Sequence, residues 1–408
     1  MQDLADMSRD VTMASRVEHL ILASDDDFFR KPITNFTQLP SDVGDYPGST
    51  SELGPSGNAW PSFGGGWDRI LLARVFSRLT NLKTVLLRDH YGPDGLTTRS
   101  EAPASPYTFQ EEWEATVHAR YGDHMFAVNI ASLADARARP ETLQAIFSTT
   151  ECLHDLAFHI PGDLQPSLEP VLANLKKFEA TLALEGGLRG CRCLRRLLSL
   201  TTQLEDLVLH FDWSSREDGC LEILTWLGRQ PHVSKHGNES RATGPVLLQQ
   251  LELYRVSWVT SQILRALVKK FSPTLRTLRL EGDNLHDEEG AILHDGEGTI
   301  DAVHVVNGWA PLFRYIARNT RLTAWGFRNL WMRTPAKEDG VRVDFEHSQR
   351  GKEYDGLDAT AKLEALVDSM TLNHPKTADQ HGQDEDGSDY GSTDTDMSEF
   401  DDLEEWED

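Results

Sequence analysis

The chain has 408 residues, 39% of them apolar, which is enough for one large repeat domain or two ordinary ones. No apolar run reaches the ~18 residues of a membrane span, and Met1–Asp10, with Asp3, Asp6 and Asp10, lacks the apolar centre of a secretory signal. A formal charge of −25 does not supply the basic footprint of a duplex nucleic-acid binder, and Cys152, Cys191, Cys193 and Cys220 read as reduced thiols, Cys191 and Cys193 being too close together for a zinc pair.

A short phrase recurs along the chain: Leu, two residues, an apolar residue, one residue, an apolar residue. It appears first as a variant at Val17, Leu20 and Leu22. A Gly/Pro/Ser-rich inserted loop is expected over about 39–66. Ile70, Leu71, Val75, Phe76 and Leu79 then recur at helical spacing and predict a helix over 67–79. Thr80 and Asn81 turn the chain into a strand at Leu82, Val85 and Leu87. After a second inserted loop, about 92–108, residues 125–130 fit a strand or a helix equally well. A helix over 140–150 before Leu153, one over 166–173 before Leu175 and one over 188–202 before Leu204 repeat the order. Further copies are a helix over 218–230 and an insertion at 231–245 before Leu248, a helix over 261–273 before Leu275, and a helix over 309–320 before Leu322. A loop is expected over 282–300. Residues 336–374 read as a polar segment with a capping helix over 357–370, its Leu363, Leu366 and Val367 on one face. Residues 375–408 read as a disordered acidic tail, and within it Thr377–Asp408 holds fourteen acids and no Lys or Arg, leaving −11 for the rest of the chain.

The phrase alone arises by chance at about 4% of starts. The repeated order of helix, Thr/Ser/Asn turn and Leu-led strand is what carries weight. This order resembles the leucine-rich-repeat proteins over about residues 15–335. It looks most like the irregular repeats of fungal F-box-type proteins, without a recognisable F-box. Leu39 to Val43 looks like the opening of one, but Gly44, Pro47, Gly48 and Gly54 prevent the helices that should follow. The family's Asn-ladder position, eight residues after the first Leu, holds Asp25, His90, Asp212 and Asp283, but also Pro161, Ala183, Val256 and Leu330. The resemblance implies an α/β leucine-rich-repeat solenoid, curved, with helices outside and short parallel strands on the concave face.

Because strand side chains alternate, the third, fifth and seventh residues of each phrase are expected to face outward. That selects Thr84, Leu86 and Arg88, Asp155 and His159, and Lys177 and Glu179. It continues with Asp206, Val208 and His210, then Gln250, Glu252 and Tyr254, then Thr277, Arg279 and Glu281, and finally Arg328. His286, His294, Asp295 and Glu297 could offer metal ligands but lack the spacing of a calcium loop or zinc protease. Gly64, Gly65 and Gly66 are not followed by the Lys-Ser/Thr of a phosphate loop, and no nucleophile elbow occurs. The chain is therefore expected to be no enzyme and to need no cofactor or metal.

The function implied is a protein-interaction module, similar to the substrate-recognition half of a cullin–RING ubiquitin ligase, with ligase subunits and a substrate as partners. The alternative, by likeness to acidic leucine-rich nuclear phosphoproteins, is an acidic-tail binder of histones or other basic proteins. Phe400, Leu403 and Trp406 alternate with acids in that tail and suit short linear recognition. Thr393 and Ser398 each precede an acid by three residues, as an acid-directed kinase requires. Neither reading involves direct nucleic-acid or membrane contact, and both place the protein in the cytoplasm, the nucleus or both.

Overall fold

The computed structural model describes residues 2–23, 67–88, 109–147, 152–184, 191–212, 217–229, 245, 247–256, 259–286, 308–334, 337–346 and 349–373. Residues Met1–His374 group as one unit, and the second unit, Pro375–Asp408, lies outside the described residues.

The chain opens with α1 (Gln2–Arg9), α2 (Val11–Ala14), β1 (His19–Ala23), α3 (Trp67–Arg78) and β2 (Thr84–Arg88). It continues with α4 (Phe109–Ala136), β3 (Thr142–Ile146), a 3-10 turn at Asp155–Phe158, α5 (Gln165–Ala173), β4 (Lys177–Leu182), α6 (Arg192–Leu200) and β5 (Asp206–Phe211). Next come α7 (Glu217–Gly228), β6 (Gln250–Tyr254), β7 (Val259–Thr260), α8 (Ser261–Phe271), β8 (Thr277–Glu281) and β9 (Asn284–His286). The last elements are α9 (Trp309–Asn319), β10 (Ala324–Arg328), β11 (Trp331–Thr334), β12 (Lys337–Asp344), β13 (Gly351–Asp355), α10 (Ala359–Asp368) and β14 (Thr371–Asn373).

The main sheet runs β1-β2-β3-β4-β5-β6-β8-β10-β13. Its first eight strands are parallel and in chain order, and β13 closes the edge antiparallel to β10. The apolar positions of the phrase fall in register. Val85, Leu143, Phe178, Leu207, Leu251, Leu278 and Trp325 form one row across seven strands, all buried. Each contributes roughly 1.5–3 kcal/mol by leaving water. Parallel crossovers are almost always right-handed. With an unreversed strand order, that hand puts every connecting helix on the same side. The helices accordingly touch in sequence: α1 with α3, α3 with α4, α4 with α5, α5 with α6, α7 with α8, α8 with α9 and α9 with α10. An ion pair of 2.9 Å between Arg195 and Glu222 joins α6 to α7.

The polar hinges have a mechanism. Thr201 and Thr320 hydroxyls donate to the Leu198 and Ile316 carbonyls, covering orphan acceptors at helix ends. Asn81 and Asn174 amides donate to the Ser15 and Arg139 carbonyls of the preceding hinge.

After β6, β8 and β10 the chain turns through Arg255 (φ 60°), Gly282 (φ 70°) and Asn329 (φ 50°). The amide of Arg255 donates to the Glu281 carbonyl and that of Gly282 to the Arg328 carbonyl, so the corners stack. Beyond them lies a second sheet, β14-β12-β11-β9-β7. Asp283 sits at this corner, 1% exposed, and its carboxylate accepts the Val256 amide at 2.7 Å. It ties the corner after β8 to the corner after β6.

Several expectations are corrected. The described part of the helix expected over 140–150, residues 140–147, is not a helix: β3 lies there, opened by buried Pro140 in place of Leu. Residues 125–130, which fitted strand and helix equally well, belong to α4. The phrase at Leu153 is not a repeat strand. Leu153 makes a single parallel bridge to Leu182, and the chain then tightens into the 3-10 turn, where Phe158 plugs the core against Phe126 at 5.0 Å. Within the segment 336–374 the expected helix is present as α10, with β12 and β13 before it and β14 after it. The part of the 282–300 loop that is described, 282–286, forms the corner and β9. The loops at 39–66 and 92–108, Leu39 to Val43, and His294, Asp295 and Glu297 lie outside the described residues, as does nearly all of the 231–245 insertion.

Candidate functional site

Opposite the helices, the sheet face carries the alternate side chains in three rows. The first is His19, Thr84, Thr142, Lys177, Asp206, Gln250, Thr277, Ala324 and Asp355. The second is Ile21, Leu86, Gln144, Glu179, Val208, Glu252, Arg279, Gly326 and Glu353. The third, in two stretches, holds Ala23, Arg88 and Ile146, then Thr181, His210, Tyr254, Glu281, Arg328 and Gly351. Every residue selected from the sequence lies here except Asp155 and His159. Those two leave the sheet because their segment is the 3-10 turn. Asp155 instead caps α6, accepting the Cys193 and Leu194 amides at 3.1 and 3.0 Å, and His159 is exposed beyond it.

The face has three zones. At the β1 end it carries an apolar patch among polar neighbours: Ile21 is 53% exposed beside half-buried Leu86, with Ile146 in the next row. The centre is a hydrogen-bonded polar network. Glu179 accepts from Gln144 at 2.6 Å, faces Lys177 at 3.1 Å and meets His210 Nε2 at 3.1 Å. The His210 ring stacks on Tyr254, centroids 4.3 Å apart. Tyr254 Oη donates to Glu252 at 2.8 Å, Gln250 donates to the other Glu252 oxygen at 2.7 Å, and Arg279 lies 3.4 Å away. Val208, His210 and Glu252 are buried, so these outward positions are walled in by their neighbours rather than solvated.

Electrostatics follow from that packing. Burial alone would raise the Glu179 carboxyl, but hydrogen bonds from His210 and Gln144 and the Lys177 charge outweigh it and hold it at about 2. Burial raises Asp206, with Glu205 and Glu252 adding and Lys177 opposing. Burial and the bond to Glu252 raise the Tyr254 phenol. Glu179 and Glu252 each accept a hydrogen bond on both carboxylate oxygens.

The third zone, at β10 and β13, is open and charged. A recess of about 450 Å³ is lined by Arg328, Asn329, Arg350, Gly351, Lys352 and Glu353. A second recess, about 280 Å³, lies on the helix side against α6 and α7 and is lined by the Arg195–Glu222 pair and by Trp226, over which Arg195 sits. Among the described residues no group of three or more His, Cys, Asp or Glu is placed to hold a metal ion. No described helix is long and apolar enough to cross a membrane.

Sequence reasoning missed Thr142, Gln144 and Ile146, which following the phrase from Pro140 would have recovered. It also missed Arg350, Lys352 and Glu353, for which the antiparallel β13 leaves no repeat signal. Phe400, Leu403, Trp406, Thr393 and Ser398 lie outside the described residues. No family model matches the chain, and no curated protein matches it.

Proposed function

We propose that this chain is a non-catalytic protein-interaction module, a leucine-rich-repeat-like solenoid whose concave sheet face receives a partner protein. The observation that carries this reading is the unreversed strand order. Ligand crevices in open α/β sheets form where strand order reverses and neighbouring helices diverge to opposite faces. Here eight parallel strands follow chain order, so there is no such switch point. What the arrangement offers instead is one continuous surface, with an apolar patch at one end, a hydrogen-bonded middle and charged side chains at the other. The self-satisfied Glu179 and Glu252 favour a structural role over acid–base chemistry, since each carboxylate already holds its donors.

The specific form of the reading is substrate recognition for a cullin–RING ubiquitin ligase, acting in the cytoplasm, the nucleus or both. Affinity purification of the full chain with mass spectrometry tests it, alongside Arg279→Glu and a chain ending at residue 376. Ligase adaptor and scaffold subunits recovered with and without the tail, and a substrate lost with Arg279→Glu, are the expected result. The fourteen acids after Thr377 favour a second reading, an electrostatic binder of histones or other basic proteins. In that case basic proteins come down with the full chain only and are released as salt shortens the Debye length.

A further inference from the structure

Charge on the helix layer is unevenly placed. In a chain of charge −25, α8 and the hinge after it hold Arg265, Lys269, Lys270 and Arg276, and α9 and its hinge hold Arg314, Arg318 and Arg321. Neither stretch, 261–276 or 309–323, contains an Asp or Glu. The two helices touch. Leu264, Leu267 and Phe271 of α8 and Leu312, Phe313 and Ile316 of α9 are buried in the core. Arg265 and Lys269, and likewise Arg314 and Arg318, are one helical turn apart on the opposite side, and all four are exposed. Arg321 is exposed at the hinge after α9.

Little neutralises these five cations. Lys269 and Arg321 have no ion pair among the described residues. Arg265 lies over the Tyr315 ring, 5.7 Å from its centroid, so it spans the seam from α8 to α9 without an acid. Arg314 and Arg318 reach Asp368 and Glu364 of α10 at 3.4 and 3.7 Å. Those four side chains are 48–79% exposed, so water screens both contacts and an incoming carboxylate can replace them. The remaining two cations are turned elsewhere: Lys270 donates to the Leu227 carbonyl of α7, and Arg276 to the carbonyl of its neighbour Leu275.

We infer that the outer face of α8 and α9 docks an acidic segment of a partner protein, its carboxylates lying along Arg265, Lys269, Arg314, Arg318 and Arg321. This surface is on the helix side, away from the concave sheet face, so it does not rest on the reading above and adds a second interface to it. Carboxylates spaced along a peptide suit cations about 5–6 Å apart within a helix and about 8–10 Å apart between helices. A nucleic acid is disfavoured, because Glu222 on α7 and Glu364 and Asp368 on α10 bound the stripe and end any track of cations for successive phosphates. A membrane surface is disfavoured, because both helices keep their large apolar side chains in the core instead of presenting them for insertion.

The test uses the full chain and a fluorescent deca-glutamate peptide, with deca-glutamine as its neutral counterpart, read by fluorescence polarisation at low salt. Deca-glutamate is expected to bind at least roughly tenfold tighter than deca-glutamine, and to be released as salt rises. Lys269→Glu with Arg321→Glu should erase that difference. Both side chains are exposed, so the fold is retained, which circular dichroism checks. Arg74→Glu with Arg192→Glu, at exposed positions elsewhere on the helix layer, makes the same change in net charge and should leave binding as in the parent. Arg279→Glu on the concave face should leave it unchanged too, so the two interfaces stand or fall separately. Equal binding of the two peptides, or an equal loss in the two double variants, overturns the inference. Tighter binding of an equally charged oligothymidylate assigns the stripe to nucleic acid. Recruitment to phosphatidylserine vesicles that Lys269→Glu with Arg321→Glu abolishes assigns it to a membrane, and self-association abolished by the same variant assigns it to a second copy of this chain. Each of these three results overturns the assignment to a separate partner protein.

Discussion

Glu179 is a largely covered carboxylate and Asp283 a fully buried one, yet their surroundings push them in opposite directions. Donors surround Glu179 and hold it at about 2, below its ordinary 4.5. A depressed carboxyl adds stability above its unfolded pKa and loses it as pH falls through the folded value. This contribution, on the order of 2–3 kcal/mol, is therefore present at neutral pH and drains between about pH 4.5 and 2. Glu179→Gln should lower stability at pH 7 and remove that acid-limb slope, measured as urea midpoints from pH 7 to 3. An unchanged slope would assign it to other groups. Asp283 has the Val256 amide as its donor, and burial raises it well above the usual carboxylate range despite that bond, with Glu281 adding to the rise. The sign reverses: a raised carboxyl favours the folded state at low pH and loses stability as pH climbs from the unfolded value. Asp283→Asn keeps an acceptor for Val256, removes the buried charge and should be at least as stable at pH 7, with a flatter alkaline limb. Asp283→Ala leaves that amide unsatisfied and should cost about 1–3 kcal/mol.

Elements stay in register partly through a charge ladder at the residue preceding each strand's first outward position. Glu18, Lys83, Glu141, Lys176, Glu205, Gln249 and Arg276 occupy it in successive strands. Each of their carbonyls accepts two amides from the next strand, as Lys176 does from Glu205 and Asp206 at 2.8 and 2.9 Å. The side chains consequently stack with alternating sign, Lys83 on Glu18 at 2.8 Å and Lys176 on Glu141 at 3.1 Å. Both members of the second pair are 47% exposed, so solvent screens these contacts and each adds little, but a like charge in the stack is unfavourable in the same way. Lys176→Glu would put three acids in a row between Glu141 and Glu205. It should lower the melting temperature by a few degrees at low salt and by less at 1 M salt. A loss that ignores salt would point to packing instead. This alternation was present in the sequence and is recoverable once strands are aligned. The helix–turn–strand order was legible because Leu207, Leu209 and their equivalents are all needed to fill one core. The β3 strand was hidden because Pro140 keeps the apolar volume but not the Leu, and Leu153 offered a decoy that fits the phrase. The β13 strand, with half the charged recess, had no periodic signal, since an antiparallel closing strand is selected by the single edge it covers.

At the scale of the molecule, each parallel strand touches only its neighbours, which makes stability close to a sum of local and nearest-neighbour contributions. The two ends are not equivalent. At one, β13 pairs with β10 and α10 packs on α9, with Trp325 Nε1 donating to the Ala359 carbonyl at 2.8 Å. At the other, the outer edge of β1 has no strand partner among the described residues, and Ile21 stands 53% exposed beside it. An edge strand opens by breaking one set of hydrogen bonds, an interior strand only by breaking two along with both flanking apolar rows. Hydrogen exchange should therefore be graded, fastest for β1 amides, slower for β13, and slowest for β4, β5, β6 and β8. A fully buried Leu207→Ala in β5 should cost about 2–5 kcal/mol and raise exchange on both sides of it, because the cavity is shared by two neighbours. Leu20→Ala in β1, by contrast, should loosen β1 and β2 and leave β6 to β10 as protected as before. If Leu20→Ala instead raises exchange uniformly to β10, the unit unfolds as a single cooperative body, and the nearest-neighbour description of its stability is wrong.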